Sequence, residues 1–332
     1  MKTLSILAGM ALAMAVPTVT MAQCDPGEIV AKMSVVTALQ GHPKGETALA
    51  LAERVNSKLD GKMCMEVYGN SELFTDADEM QALLDNEVQL LAPSLSKFEP
   101  YTSAFRIFDL PFLFDGAIAV LDYQNSVAGQ ELLGALDPSG LKGLGFWMNG
   151  MKQLSATRPL RLPKDAEGLT FRIQPSDVIE AQFGALGAET KRLAFSKVYD
   201  ALASGEVQGQ ENTWSNIHTK KFYTVQDGVT ESNHAYLGYL VVTNQEFMES
   251  LPEDVRNEFL LLFELTTHEY NRFAYEINEQ RARDVWDETK NIISLTPEEL
   301  GEWREAFQPV WEQFADDIGR DRIMLAQSFN AN

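Results

Sequence analysis

The stretch GLTFRIQPSDVIEAQFGAL, residues 168–186, places a strand directly before a helix. Leu169 to Ile173 is a short, mostly apolar run with the character of a buried strand, and Ser176 to Leu186 has the pattern of a helix. About forty residues later Gly209-Gln-Glu-Asn212-Thr-Trp-Ser-Asn-Ile217 repeats the arrangement, a strand leading into a helical start. Arg172 stands near the end of the first strand. In α/β proteins that position opens onto the crevice where ligands bind. A guanidinium is planar and always charged, and it can hold a carboxylate through two parallel hydrogen bonds. Two readings stand for it on the residues alone. It either binds a small organic acid or closes a buried salt bridge, since a buried arginine needs a partner.

The same alternation runs outward in both directions. Ile29 to Val36, Met63 to Tyr68 and Gln89 to Ala92 read as strands, separated by helices over Gly45 to Leu59 and Asp76 to Asn86. This βαβαβ opening predicts parallel strands with helical crossovers. Ala117 to Leu136 reads as helical and Gly143 to Trp147 as another strand. Beyond Ser155 come strands at Thr170–Ile173, Glu189–Arg192 and Gln208–Glu211, with helices at Ser176–Leu186 and Ser196–Ser204 between them. The apolar run Ala235 to Thr243 is placed to cross back into the first unit. Glu253 to about Asn291 is a single helical pattern without Pro or Gly, roughly 60 Å long. A helix of that length must span two lobes or project from them. Trp303, Phe307, Trp311 and Phe314 in the tail follow the helical period and read as core.

Residues 1–22 have the form of a cleaved signal peptide. Lys2 begins it, Leu4 to Val16 is apolar, and Thr20-Met21-Ala22 offers small residues near a cut. Gln23 before Cys24 does not suit a lipid-anchored product. The remaining ~310 residues fit two lobes of ~150 each. We assign 23–153 and 238–277 to lobe I, and 154–237 and 278–332 to lobe II. The formal net charge of the chain is −21, and loss of Lys2 makes it one unit more negative. Such acidity argues against nucleic acid as a partner. No apolar run after the leader reaches the ~18 residues of a membrane span. The two cysteines, Cys24 and Cys64, lie near two candidate neighbouring strands. In an oxidising compartment a disulfide is expected; the alternative is a free Cys24 and a buried Cys64.

Signatures of catalysis are weak. His42, His218, His234 and His268 show no metal-ligand spacing, and neither a nucleophile elbow nor a phosphate-cradling loop occurs. No metal, cofactor or catalytic residue is therefore expected. The acidic run Ser71 to Glu79 does not match a calcium loop and reads as a capped helix start. Lys152, Arg158, Arg161, Lys164 and Arg172 make one span locally basic in an acidic chain, which marks either a place for an anion or a solvated loop. Asn212 reads as a helix cap or a donor to a carboxylate, and Trp214 as a crevice wall or core.

Several motifs in order carry a family resemblance over essentially the whole mature chain. They include Pro43-Lys44-Gly45, Ala92-Pro-Ser94-Leu-Ser-Lys97-Phe98, Phe108-Asp-Leu-Pro-Phe-Leu-Phe114 and Asn149-Gly-Met-Lys-Gln153. Arg158-Pro159, Phe171-Arg172-Ile-Gln174, Ala194 to Leu202, Gly209 to Ile217, Lys221 to Gln226 and Ser232-Asn-His234 complete them. The chain resembles the extracytoplasmic solute-binding subunit of TRAP transporters, in the branch that binds C4-dicarboxylates. That resemblance implies two α/β lobes around a ligand cleft, joined by crossing strands, spanned by a long helix, and closing by a hinge. It implies Arg172 as the principal carboxylate ligand, with Arg158 and Asn212 beside it. Lys44 and Ser94, with Lys97, would face the ligand from the first lobe, and Trp214 has the form typical of that branch. The expected protein is a monomer exported to the periplasm of a Gram-negative bacterium. It would bind succinate, fumarate or malate and pass it to a membrane permease. Binding of another acid (keto, sugar or aromatic) and a role as periplasmic enzyme or sensor partner are the alternatives.

Overall fold

The computed structural model describes residues 24–331; the leader expected at 1–22 lies outside the described residues. The chain opens with β1 (Ile29–Ser34), α1 (Pro43–Lys58), β2 (Met63–Tyr68), α2 (Glu79–Leu84) and β3 (Leu90–Leu91). After two 3-10 turns come α3 (Ala117–Asn125), α4 (Val127–Glu131) and the long β4 (Leu141–Ala156). The second lobe is laid down as β5 (Thr170–Ile173), α5 (Asp177–Ala185), β6 (Glu189–Arg192), α6 (Val198–Ser204), β7 (Gly209–Asn212) and α7 (Trp214–Thr219). Then follow β8 (Gly228–Asn244), α8 (Gln245–Ser250), α9 (Glu253–Thr289), β9 (Ile292–Ser294), α10 (Pro297–Ile318) and α11 (Arg320–Gln327).

The nine strands of the described residues form one sheet in the order β2-β1-β3-β8-β4-β7-β5-β6, with β9 on β8. At one end β2, β1 and β3 are parallel; at the other β7, β5 and β6 are parallel. Between them β4 and β8 pair antiparallel from Leu141↔Asn244 to Ala156↔Gly228 and run through both lobes. Sequence periodicity marks only Gly143–Trp147 and Ala235–Thr243 of these strands. Their remaining residues include Asn149, Lys152, Gln153, Ser232 and His234, all polar and buried, which hides the strand from an apolar pattern. The pairing slips at Met148/Gly150 and at Lys152/Leu154. Such bulges bend and twist a strand locally. They fall where β4 passes from one lobe to the other.

α9 has 37 residues, about 56 Å, and packs along β4 and α7. Asn271 and Asn278, two turns apart on its buried face, complete the hydrogen bonding that the irregular strand leaves open. Asn271 accepts from Met148 N at 2.8 Å and donates to Phe146 O at 2.9 Å. Asn278 donates to Asn149 O at 2.8 Å and accepts from Ser215 N at 3.0 Å. Buried backbone groups need such partners.

Four apolar clusters fill the two lobes. The largest collects Phe105, Phe108, Phe114, Tyr123 and Phe146 on one face of the first lobe. α10 contributes Trp303 and Phe307 to a cluster of the second lobe, but Val310, Phe314 and Ile318 to that of the first. The tail aromatics pack into these clusters, and α10 reaches two of them. The single helix expected over Ala117–Leu136 is instead broken at Ser126. There the backbone is extended, and the hydroxyl caps α4 by accepting from Gly129 N. Gly129 has no room for a side chain: a Cβ would lie 2.2 Å from Tyr123 O.

Cys24 and Cys64 are joined, with Cα atoms 5.5 Å apart, tying the chain start to β2 beside β1. Closing a loop of 40 residues stabilises by about 4 kcal/mol in the chain-entropy account. Replacing both cysteines by Ala should therefore lower the unfolding free energy by up to ~4 kcal/mol. Urea titration of the two proteins reads this directly, and an unchanged midpoint would show that the bridge is not a constraint on the unfolded chain.

Candidate functional site: a charged cleft between the lobes

The ends of the parallel strands meet around a cleft. Val36, Thr37, Lys44, Asp76, Glu79 and Ser94 are among the residues that line it from the first lobe. Arg172, Gln174, Phe195, Asn212 and Asn216 line it from the second, and Leu237 and Tyr239 of β8 form its back. Contacts bridge the mouth. Gln174 Nε2 donates to Ser94 Oγ at 2.6 Å, Phe195 N to Asp76 Oδ1 at 2.9 Å, and Lys220 Nζ to Asn70 Oδ1 at 3.1 Å. His42 Nε2 lies 2.9 Å from Asn216 Oδ1. The lobes are thus drawn together over the cleft.

Arg172 is 2% exposed at the heart of this wall. Its Nε and Nη2 both donate to Leu193 O, at 3.0 and 2.7 Å, so the turn after β6 fixes the plane of the guanidinium. Nη1 has no protein partner among the described residues. Three of the five guanidinium N–H donors therefore remain for a ligand. The salt-bridge reading of Arg172 is not realised: among the described residues no carboxylate lies within ion-pair distance. Burial lowers its pKa to about 10, against the raising influence of Asp76 and Glu211. A buried cation with spare donors can hold an anion. Asn212 ends β7 beside it, held by Gln210 and Asn216 through its own amide.

Lys44 faces the cleft from the first turn of α1 and is 1% exposed. Its Nζ donates to Ala92 O at 3.1 Å and lies 4.0 Å from the Tyr239 ring centroid. The tight approach of α1 to the preceding loop depends on Gly45, where a Cβ would lie 2.1 Å from Ala38 O. His42 caps the helix, accepting from Lys44 N at 3.2 Å through Nδ1. That leaves Nε2 to carry the proton donated to Asn216. Burial first, then the charge of Lys44, push the His42 pKa down to about 3. Lys97 pairs with Asp76 at 2.9 Å. Burial raises the Asp76 carboxyl, but Lys97, Arg172 and the N–H of Phe195 outweigh it, and the pKa is lowered.

Two expected residues are elsewhere. Arg158 is exposed and does not line the cleft; its Nε and Nη2 donate to Asp165 O and Glu167 O at 2.7 and 2.6 Å. It lies beyond the end of β4 and clamps a surface turn. Trp214 is buried, but in the core formed with Phe195, Val198, Ile217 and Val285. The first turn of α7 presents Asn216 to the cleft and turns Trp214 away. The basic span 152–172 is equally divided. Lys152 is buried against Glu211 at 2.5 Å, Arg161 reaches Glu299, and only Arg172 faces the cleft. Conversely Asp76, Glu79, Gln174, Asn216, Tyr239 and His42 line or shape the site without having been singled out for it. The acidic run around Asp76 was visible, but its reading as a helix start left no reason to aim it at the basic wall.

Behind the cleft a buried network couples the crossing strands. Glu211 of β7 takes Lys152 of β4 on one oxygen and His234 of β8 on the other at 2.9 Å. His234 Nδ1 in turn meets Ser232 at 2.8 Å. Burial opposes ionisation of Glu211, but Lys152 and His234 overcome it and hold its pKa well below the carboxylate range.

Comparison with known proteins gives a consistent result. Residues 34–317 match the profile of a family described as bacterial extracellular solute-binding protein, family 7. The C4-dicarboxylate-binding periplasmic protein DctP of Vibrio cholerae is 47% identical over 309 residues, covering 93% of each chain. A TRAP periplasmic solute-binding protein of Shewanella oneidensis, solved with bound succinate, superposes with a TM-score of 0.90. It is 43% identical over 92% of this chain and 100% of that one. One from Pseudomonas aeruginosa PAO1 with bound L-malate has a TM-score of 0.84 at 44% identity, over 86% and 99%.

The neutral His42 generates a prediction with a definite sign. In the unfolded chain histidine protonates near pH 6.5, whereas in the fold it resists until about 3. Its contribution to stability is complete above pH 6.5 and is lost as the pH falls toward 3. Glu79 and Asp109, whose pKa values are raised to about 7 and about 6, titrate with the opposite sign in part of this range. The readout is therefore the stability gap between wild type and His42→Asn. The gap should narrow on acidification from pH 6.5 to 4.5, by at most ~1.4 kcal/mol per unit. Urea unfolding at four pH values checks it; a gap independent of pH would contradict the assignment of a neutral His42.

Proposed function

Because this chain belongs to family 7 of the bacterial extracellular solute-binding proteins, we propose that it captures a C4-dicarboxylate (succinate, fumarate or malate) in the cleft between its lobes. The observation that carries the reading is the pair of buried cations on opposite walls of one cleft. Arg172 has donors to spare on one wall, and Lys44 stands on the other. A diacid needs a cation at each end. Arg172, with Asn212, takes one carboxylate; Lys44, with Ser94 and Thr37 nearby, takes the other. The relatives named for dicarboxylates, and the two solved with succinate and L-malate, support the same ligand class.

The ligand touches both lobes only when they are closed, so binding shifts the population toward the closed form. The closed protein docks on the membrane permease of a TRAP transporter and yields the ligand to it. It is a carrier and performs no chemistry on its cargo. Residues 1–22 direct export to the periplasm of a Gram-negative bacterium. No helix among the described residues is long and apolar enough to cross a membrane.

A thermal-shift screen with succinate, fumarate, L- and D-malate and 2-oxoglutarate tests the class, since a ligand that binds the folded state raises the midpoint. Arg172→Lys keeps the charge but loses the planar fork. Binding should weaken by at least ~1.5 kcal/mol with the fold retained. Arg158→Ala, remote from the cleft, should leave affinity within about threefold of wild type, a change of under ~0.7 kcal/mol. Equal affinity in Arg172→Lys and wild type would remove Arg172 from the site.

A further inference from the structure

Glu79 is an anomaly in a cleft that holds anions. It opens α2, is 2% exposed, and lines the cavity. Among the described residues no side chain or backbone group donates a hydrogen bond to its carboxyl, and no cation lies within ion-pair distance. Its neighbour Asp76 differs on both counts, having Lys97 at 2.9 Å and the N–H of Phe195 at 2.9 Å. Thr37, on the same wall, also has a buried hydroxyl without a partner. The first-lobe wall thus presents polar groups that the protein itself leaves unsatisfied. Buried groups of this kind are normally hydrogen-bonded.

The charges of the lining decide which state of Glu79 is compatible with a diacid. Lys44, Lys97 and Arg172 are the cations that line the cleft, with Lys220 at its mouth on Asn70, and Asp76 neutralises one of the lining three. The two that remain match the two charges of a dicarboxylate. An ionised Glu79 would leave an uncompensated negative charge beside the ligand in a dry crevice, where like charges cannot both stay ionised. A protonated Glu79 removes that repulsion and turns an acceptor into a donor.

Resting on the dicarboxylate reading, we propose that Glu79 acts in capture as a carboxylic acid. Its O–H is donated to the ligand carboxylate that Lys44 holds, so binding of the dianion takes up a proton from solvent. Glu79 is then a specificity-determining residue: it accepts a charged carboxylate only together with a proton. The surroundings favour this state. Burial raises its pKa to about 7, Lys44 and Lys97 act to lower it, and Asp76 acts to raise it. Lys44 is itself lowered to about 8 by burial, with Glu79 and Asp76 opposing and Lys220 adding to the shift. Asp76 and Glu79 are thus two carboxyls whose pKa values are pushed apart by their settings, one lowered and one raised.

Calorimetry of succinate binding at pH 7.5, in phosphate and in Tris, measures the proton directly from the difference in heat. Wild type should take up roughly half a proton or more, and Glu79→Gln, which keeps a permanent donor, clearly less. Between pH 6.5 and 8 wild-type affinity should fall roughly tenfold or more, and that of Glu79→Gln about twofold, the residue left by Lys44. Glu79→Ala, lacking a donor, should bind more weakly than Glu79→Gln at every pH. Binding without proton uptake, or uptake unchanged in Glu79→Gln, overturns the proposal while leaving the dicarboxylate reading intact. No binding of succinate, fumarate or malate at any pH overturns both.

Discussion

β4 and β8 lie antiparallel along nearly their whole lengths, and each belongs to both lobes. Everything else is hung on that pair. β3 joins it on one side and β7 on the other, so the two parallel βα units become ends of one continuous sheet. The pairing slips twice where β4 leaves the first lobe, and Asn271 and Asn278 of α9 supply the hydrogen bonds that a regular ladder would have made. The irregular crossing thus leaves these strand backbone groups paired. The buried Glu211, tied to Lys152 and His234, crosses three strands at that level. Removing one partner of such a group leaves an uncompensated charge and is strongly destabilising. The network therefore limits how β7 can move against the crossing strands.

The electrostatics of the cleft follow from burial more than from local charge density. Arg172 and Lys44 are both nearly inaccessible, yet each makes only neutral contacts with the protein, to Leu193 O and Ala92 O. Neither charge meets a carboxylate within ion-pair distance among the described residues. Lys97 is the contrast: Asp76 meets it directly, and Asp76 also takes the N–H of Phe195 from the other lobe. The same carboxylate thus neutralises a cation and latches the mouth.

Much of the fold was readable from local pattern. The strand over Thr170–Ile173, the helix after it and the 37-residue span of α9 follow from apolar period and from the absence of Pro and Gly. The crossing strands were legible only in their apolar halves, because the other halves bury polar side chains that a period of two does not record. Of the site residues, Arg172, Asn212, Lys44, Ser94 and Lys97 were marked by motif and do line the cleft. Arg158 and Trp214 were marked by the same motifs and do not. Proximity along the chain to Arg172 and Asn212 gave no information on the direction of their side chains. Asp76 and Glu79 read as a helix start; Glu79 opens α2 and Asp76 lies in the turn before it, and both line the cleft.

The linear order of residues determined the α/β alternation, the two-lobe size, the long helix and the presence of an arginine at a strand end. These depend on near neighbours, whose periodicity and backbone preferences act within one element. Only the tertiary structure decided which charges meet. Lys152 and Arg172 are both buried cations, yet one is spent on Glu211 and the other is left open to a ligand. The difference arises from strand register: Gln153 of β4 stands opposite Asn212, and Arg172 of β5 beside Gln210. Whether a buried charge is paired or available is settled by residues that approach from distant parts of the chain, and by the water their packing excludes.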